Sequence, residues 1–108
     1  MNDIKYPLKV ICRKEGDMRY FSQLDLVRLF ERALRRAKLP VFFTKGFSPH
    51  AKMSFSNALK LGVEGEEEVT FYFTDSVEPA VLVSRLQPQL PRGLTLTLPV
   101  DTSPDTRK

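Results

Sequence analysis

The order of its patterned segments constrains the fold of this 108-residue chain more than any other feature. Two helix-like segments, at about residues 22–38 and 78–87, alternate with four segments in which apolar residues recur at every second position. These strand-like segments cover residues 8–13, 52–56, 69–73 and 94–98. We also expect residues 18–21 to be extended after a turn, and residues 62–68 to form a polar, glycine-containing connection. The order β–α–β–β–α–β is typical of the split βαβ or ferredoxin-like arrangement. We therefore predict an α+β fold with two helices on one face of an antiparallel sheet and the other face available.

Length and composition predict one domain. At 42% hydrophobic residues the chain can bury one modest core, and we assign residues 1–100 to a ferredoxin-like domain and residues 101–108 to a disordered tail. No apolar run is long enough to cross a bilayer, and the N-terminus lacks the layout of a signal peptide. The single cysteine, Cys12, cannot form an internal disulfide and alternates into the core face. We therefore expect a cytoplasmic protein that does not contact a membrane.

The first helix has clear boundary signals. Ser22 is a typical N-cap, and Asp25 lies three residues later, near the positive end of the helix dipole. The helix is expected to reach about Lys38 and to stop before Pro40, because proline disfavours a helical conformation in the residue before it. A helix-capping role for Asp25 is favoured over a role as general base.

One side of this helix is apolar and the other is rich in arginine. The apolar side is predicted to face the core, whereas the opposite side contains Arg28, Arg32, Arg35 and Arg36, with Glu31 at its flank. Four guanidinium groups without interleaved carboxylates repel one another, and their planar forks match phosphate oxygens. Two interpretations follow: an ordinary solvated face, or a surface that contacts phosphate or RNA.

The segment from Gly46 to Lys52 predicts a rigid loop that follows the basic helix. Gly46 permits a positive φ, and Pro49 restricts both itself and the residue before it. We expect Phe47 to anchor this loop on the core and to leave three polar side chains facing outward: Ser48, His50 and Lys52.

The only imidazole of the chain lies in this loop. His50 can donate to a phosphate, stack on a base or carry a proton, and the alternative is a residue that merely stabilises the turn. Tyr20, Phe21, Phe42 and Phe43 are candidates for stacking surface, although aromatic residues beside strands usually belong to the core. With Lys45 added, the candidate residues for binding RNA or phosphate are Arg28, Arg32, Arg35, Arg36, Lys45, Ser48, His50 and Lys52.

Charge is distributed unevenly along the chain. Residues 1–63 contain 13 Lys and Arg against 5 Asp and Glu, a net charge of +8, whereas residues 64–108 contain 4 against 8, a net charge of −4. Such asymmetry favours a basic face directed at a polyanion, with a mixed solvated surface as the alternative.

Three segments carry a resemblance to a known family. Residues 19–28 (RYFSQLDLVR), 31–37 (ERALRRA) and 46–50 (GFSPH) resemble the radical-SAM-linked proteins, a domain of unknown function that occurs fused behind a radical SAM protein or as its separate companion. The resemblance extends to about residue 100. It implies a radical SAM protein as partner and implies no reaction, because the activity of the family is not established.

The chain departs from the family pattern at two positions. Gln23 replaces the usual histidine, which argues against a metal site built from two histidines, and Ala51 replaces the usual second proline. The family domain is also longer, so the resemblance predicts that this chain corresponds to its N-terminal part.

Catalytic signatures are otherwise missing from the sequence. It contains no cysteine cluster motif of a radical SAM enzyme, no phosphate-binding or dinucleotide fingerprint and no metal-spaced ligand set, so we predict no cofactor and no metal.

The leading hypothesis is an accessory or substrate-presenting RNA-binding domain that works with a radical SAM partner, with modification of tRNA or ribosomal RNA as the candidate process. Two alternatives remain: a small metal-independent nucleic-acid-processing enzyme that uses His50, and a protein-interaction module that docks on an acidic partner. The oligomeric state stays open.

Overall fold

The computed structural model describes residues 5–56, 62 and 64–99. Four strands form one antiparallel sheet in the order β2–β3–β1–β4, which confirms the predicted α+β fold and element order. The elements, in chain order, are β1 (Tyr6–Lys14), α1 (Gln23–Arg36), β2 (Met53–Ser56), β3 (Gly65–Phe73), α2 (Pro79–Leu86) and β4 (Leu94–Thr97). None of the described helices combines the length and the apolarity that a membrane span needs.

The core lies between one face of the sheet and the two helices. Alternate residues of β1 and β3 are buried while the residues between them are not, as expected for a sheet covered on one side. Phe30 of α1 packs edge-on against Phe71 of β3, with ring centroids 5.3 Å apart. Leu82 and Leu86 of α2 belong to the same buried cluster. The opposite face of the sheet carries no helix in the described part of the chain, so it is accessible.

One ion pair is buried inside this core. Lys14 ends β1 on the buried side, and its Nζ lies 3.6 Å from Oε2 of Glu67 on β3, with both side chains only 2% exposed. The same ammonium donates to the carbonyl oxygen of Phe21, just before α1 (3.1 Å). Burial of two charges is costly unless they are paired and hydrogen-bonded. Lys14 therefore links the end of the central strand to the start of the basic helix.

Both ends of α1 are closed by backbone and side-chain hydrogen bonds. At the N-terminus the Ser22 hydroxyl accepts from the Asp25 N–H (3.1 Å), and the Asp25 carboxylate accepts from the Ser22 N–H (3.0 Å). This capping box confirms the predicted roles of both residues. At the C-terminus Lys38 adopts a left-handed φ of 59°, and the Leu39 N–H donates to the Leu34 carbonyl (3.3 Å). This is a Schellman motif, and it ends the helix at Arg36 rather than Lys38.

Two segments differ from the sequence prediction. Residues 18–21, expected to be extended, lie largely in a 3₁₀ turn, Gly16–Tyr20, which turns the Met18 side chain into the core. Residues 65–68, expected to be a polar connection, form the first half of β3. The glutamates there pair across the sheet with the basic residues of β1, as Glu68 does with Lys9 (3.5 Å), so the charge run is compatible with a strand. The predicted tail at residues 101–108 lies outside the described residues.

Candidate functional site

The four arginines of α1 form a solvent-exposed surface, which we call the arginine surface: Arg28, Arg32, Arg35 and Arg36. In the described part of the chain none of them makes an ion pair or a hydrogen bond with another side chain. Arg28, Arg32 and Arg35 line one shallow cavity together with Glu31. Three of the four positive charges thus lie beside Glu31, and that carboxylate has other partners.

Glu31 anchors the loop to the helix. Its Oε2 accepts a hydrogen bond from the backbone N–H of Ala51 (2.7 Å) and lies 3.1 Å from Nδ1 of His50. The Glu31 side chain is only 16% exposed, whereas the His50 side chain is 62% exposed. Because this oxygen faces the loop, no guanidinium of the arginine surface comes within ion-pair distance of Glu31. The sequence placed Glu31 at the flank of the arginines and did not identify its role in the loop.

The loop is closed at its base by two further hydrogen bonds. The Thr44 N–H donates to the His50 carbonyl (2.8 Å), and the His50 N–H donates to the Thr44 hydroxyl (3.1 Å). Gly46 adopts a φ of 127°, which favours glycine and agrees with the expected role of this residue.

The tip of the loop differs from the sequence prediction. Phe47 is fully exposed and does not anchor the loop on the core, so that expectation was wrong. The reason is that Glu31 and Thr44 hold the base of the loop through polar contacts, and apolar burial is not needed. Ser48 is exposed beside it. An aromatic ring therefore projects into solvent from a loop whose base is held by Glu31 of α1.

The two sides of the arginine surface have different neighbours. The Arg35 guanidinium lies over the ring of Phe43, 5.0 Å from its centroid, and this contact joins α1 to the start of the loop. Arg32 and Arg36 border a second groove, between α1 and the connection from α2 to β4. The apolar residues in that groove are Phe21, Leu29, Ala33, Leu90 and Pro91.

Two of the candidate residues lie on a different surface. Phe43 faces α1, so its neighbours Phe42 and Thr44 face the accessible side of the sheet. Lys45 and Lys52 line a cavity there, together with Lys5, Phe42 and Thr44. The structure thus brings Arg28, Arg32, Arg35 and His50 together. It places Lys45 and Lys52 on the other side of the loop, at the accessible face of the sheet.

The surroundings of Asp25 and of Cys12 shift the pKa values of both side chains. The backbone N–H of Ser22, followed by its hydroxyl, lowers the pKa of the Asp25 carboxyl, as expected for a carboxylate in a capping box. Burial, followed by the charge of Glu67, raises the pKa of the Cys12 thiol to about 12. Cys12 is therefore a protonated core residue at neutral pH, as the sequence predicted. Among the described residues no group of three histidine, cysteine or carboxylate side chains is placed as metal ligands.

The fold and the site define an α+β domain that has a basic surface on its first helix and a loop with an exposed aromatic residue at its tip. A family model described as "Uncharacterized protein conserved in bacteria (DUF2344)" matches residues 8–107, and the chain belongs to this family. Comparisons with curated proteins and with solved structures found no match.

Proposed function

We propose that this protein is an accessory, RNA-binding domain that presents RNA to a radical SAM partner in the cytoplasm. The observation that carries the proposal is that the Glu31 carboxylate binds Ala51 and His50 of the loop. The four arginines therefore have no ion-paired partner among the described residues. Clustered guanidinium groups repel one another, and a polyanion removes this repulsion by binding them. Phosphate is favoured because the planar fork of arginine contacts two of its oxygens at once.

The loop supplies a feature that favours RNA over a simple anion. Phe47 is fully exposed at the tip, and an aromatic ring beside a basic surface is a typical platform for an unstacked base. His50 lies at the base of the same loop with most of its side chain exposed, within reach of a ligand on the arginine surface. In this proposal the arginines hold the backbone, and the loop contacts a nucleotide.

The proposed partner is supported by the resemblance of residues 19–28, 31–37 and 46–50 to radical-SAM-linked proteins. These segments include the start of α1, all four residues of the arginine surface and the tip of the loop. The partner would perform the reaction, with tRNA or ribosomal RNA as the candidate substrate.

The test reverses two charges of the arginine surface. The double variant Arg28→Glu/Arg32→Glu should lose retention of single-stranded RNA while keeping its thermal stability, because both side chains are exposed. Each lost phosphate contact should lower the salt dependence of binding by about 0.7 units in log K against log salt. The charge-matched control is Arg85→Glu/Arg92→Glu, which changes net charge equally on exposed residues outside α1 and should retain RNA. RNA affinity that survives the α1 reversal would refute the proposal.

The groove bordered by Arg32 and Arg36 favours a second candidate function, docking on an acidic protein. Its apolar residues, Leu29, Leu90 and Pro91 among them, offer contact area that a nucleic-acid backbone does not need. If this function is the correct one, the wild-type protein should capture its partner after nuclease treatment and should show no measurable affinity for plain RNA.

A further inference from the structure

The accessible face of the sheet carries a second basic cluster, which we call the lysine–aromatic cluster: Lys5, Phe42, Lys52 and Tyr72. The Lys5 ammonium lies over the Phe42 ring, 4.9 Å from its centroid, and the Lys52 ammonium lies over the Tyr72 ring at 5.2 Å. The Phe42 N–H donates to the Tyr72 carbonyl (2.9 Å), and this backbone hydrogen bond holds the two aromatic residues side by side. Two rings, each with an ammonium group over it, therefore lie at one end of the sheet.

The orientation of this cluster follows from the alternation of β3. Phe71 and Phe73 are buried against the helices, so Tyr72 between them projects to the other face. The Tyr72 hydroxyl lies 3.3 Å from the Ser54 hydroxyl, and Ser54 is an exposed residue of β2. The cluster is thus partly open to solvent, and its lysine side chains are long enough to move off the rings.

The charge of this face changes along β3. Near its start the basic residues of β1 are neutralised, because Lys9 pairs with Glu68 and Arg13 pairs with Glu15. At the other end neither Lys5 nor Lys52 makes an ion pair with a described residue. Positive charge and aromatic surface therefore coincide at one end of the face, which is the combination that binds nucleotides.

We propose that the lysine–aromatic cluster is a nucleotide subsite, and that the RNA bound by this domain is single-stranded. The inference rests on the proposed function and adds the class of substrate. A base stacks more strongly on an aromatic ring than an exposed ammonium does, so a base displaces Lys5 or Lys52 from the ring. The displaced ammonium then pairs with the adjacent phosphate. Stacking of this kind requires an unpaired base, which a duplex does not offer.

The two surfaces are adjacent through Thr44. Its hydroxyl accepts the His50 N–H at the base of the loop, and the same residue lines the cavity that contains Lys5, Phe42 and Lys52. A strand bound along the arginine surface can therefore pass around the loop, past Phe47, and reach the accessible face. One RNA segment would contact both surfaces.

The experiment compares single-stranded and double-stranded probes. Fluorescence anisotropy would measure binding of an oligouridine, alone and annealed to oligoadenosine, at fixed salt. The variants are Phe42→Leu, which keeps an apolar residue in a partly buried position, and Lys52→Gln, a surface change. The matched control is Lys9→Gln, on the same face but within the pair with Glu68. Thermal melts would confirm that each variant folds.

We expect Phe42→Leu to weaken binding of the single strand about tenfold, and Lys52→Gln to lower its salt slope by about 0.7 units. The affinity for the duplex should be the same in all variants as in the wild type. The control Lys9→Gln should have the affinity of the wild type for both probes. An oligonucleotide that contains 5-iodouridine should crosslink to Phe42 or Tyr72.

Three results would overturn the inference. Single-strand affinity that is unchanged in both variants, while Arg28→Glu/Arg32→Glu still abolishes it, would remove the subsite and leave the proposed function intact. A second result is displacement of oligouridine by polyglutamate in a manner that depends on Lys52 and is unchanged by Phe42→Leu. That result would assign the cluster to binding of an acidic protein. A wild-type protein that binds neither probe would remove the proposed function and the subsite together.

Discussion

Glu31 and His50 connect α1 to the loop through a contact of 3.1 Å between Oε2 and Nδ1, and the same oxygen accepts the N–H of Ala51. One carboxylate therefore has two opposite effects on the candidate site. It holds the loop in place, and it adds a negative charge beside the arginine surface. Different substitutions of Glu31 separate these effects.

We expect Glu31→Gln to increase RNA affinity and Glu31→Ala to decrease stability. Glutamine keeps an oxygen that can accept the Ala51 N–H but removes the charge that opposes phosphate binding. Alanine leaves a partly buried donor without its partner, which costs about 1–3 kcal/mol. Chemical denaturation and RNA anisotropy at several salt concentrations would measure both effects. If Glu31→Gln lowered affinity at unchanged stability, the carboxylate would itself belong to the ligand site.

The role of His50 can be tested by two substitutions of different chemistry. His50→Ala should weaken RNA binding well beyond its effect on folding, and His50→Gln should recover part of the loss, because its amide can still donate to Glu31. NMR spectra of the imidazole with and without oligouridine would show whether the ring contacts RNA. If RNA does not change the chemical shifts of the imidazole, and if His50→Ala binds RNA normally, then His50 only stabilises the turn. Single-turnover assays on the same variants would test the alternative of RNA cleavage.

The buried pair of Lys14 and Glu67 predicts a strong non-additive effect on stability. Lys14→Met should destabilise the fold by about 3–5 kcal/mol, because it removes the cation from a buried carboxylate and the donor from the Phe21 carbonyl. The double variant Lys14→Met/Glu67→Leu should recover much of this loss, since apolar side chains of similar size replace both charges. Urea unfolding of the two single variants and the double variant would give the coupling free energy. Additive effects would mean that the two side chains are not coupled.

Ser22→Ala should destabilise the protein by about 1 kcal/mol, the usual cost of losing a side-chain N-cap. Ser22→Asp serves as the matched control, because aspartate is an equally good cap and should retain most of the stability. Thermal unfolding would measure both variants. Loss of RNA binding without loss of stability would move Ser22 from the cap into the ligand site.

Cys12 predicts slow alkylation of the native protein. With a thiol pKa of about 12, almost none of the native thiol is ionised at pH 8, whereas the unfolded chain has an ordinary thiol. Iodoacetamide should therefore label Cys12 readily in denaturant and very slowly without it. The raised pKa also means that the native state keeps the proton, so this thiol's contribution to stability is lost as pH rises from about 9 towards 12. Rapid labelling under native conditions would contradict the burial of this residue.

The sequence predicted the fold well because local patterns and global topology agree. The alternation around Val10 and Val69 and the cap at Ser22 are short-range signals that the structure confirms. Lys14 shows the limit of such patterns, because a lysine at a core position depends on an ion pair with Glu67, more than fifty residues away. The glutamates at the start of β3 were assigned to a connection for the same reason, since their basic partners lie on β1.

The site was predicted less completely than the fold. The arginine surface follows from helical periodicity, and the structure exposes all four side chains as expected. The exposure of Phe47 could not be predicted, because it depends on Glu31 and Thr44 holding the loop by polar contacts. The separation of Lys52 from the arginines depends on which side of the sheet each residue of the paired segments 41–44 and 51–53 faces. That facing is set by pairing with β3 and by the contact of Arg35 with Phe43.

The strand order has a consequence for how the protein acquires its structure. The central pair of the sheet joins β1 to β3, so Tyr6 lies opposite Phe73, and the chain must close a long loop before this pair can form. Distant pairings of this kind slow folding relative to helical proteins of equal size. A single amphipathic helix such as α1 has little stability by itself. The four arginines are therefore aligned only after the sheet has closed, and a nascent chain that is still emerging from the ribosome would not display the binding surface.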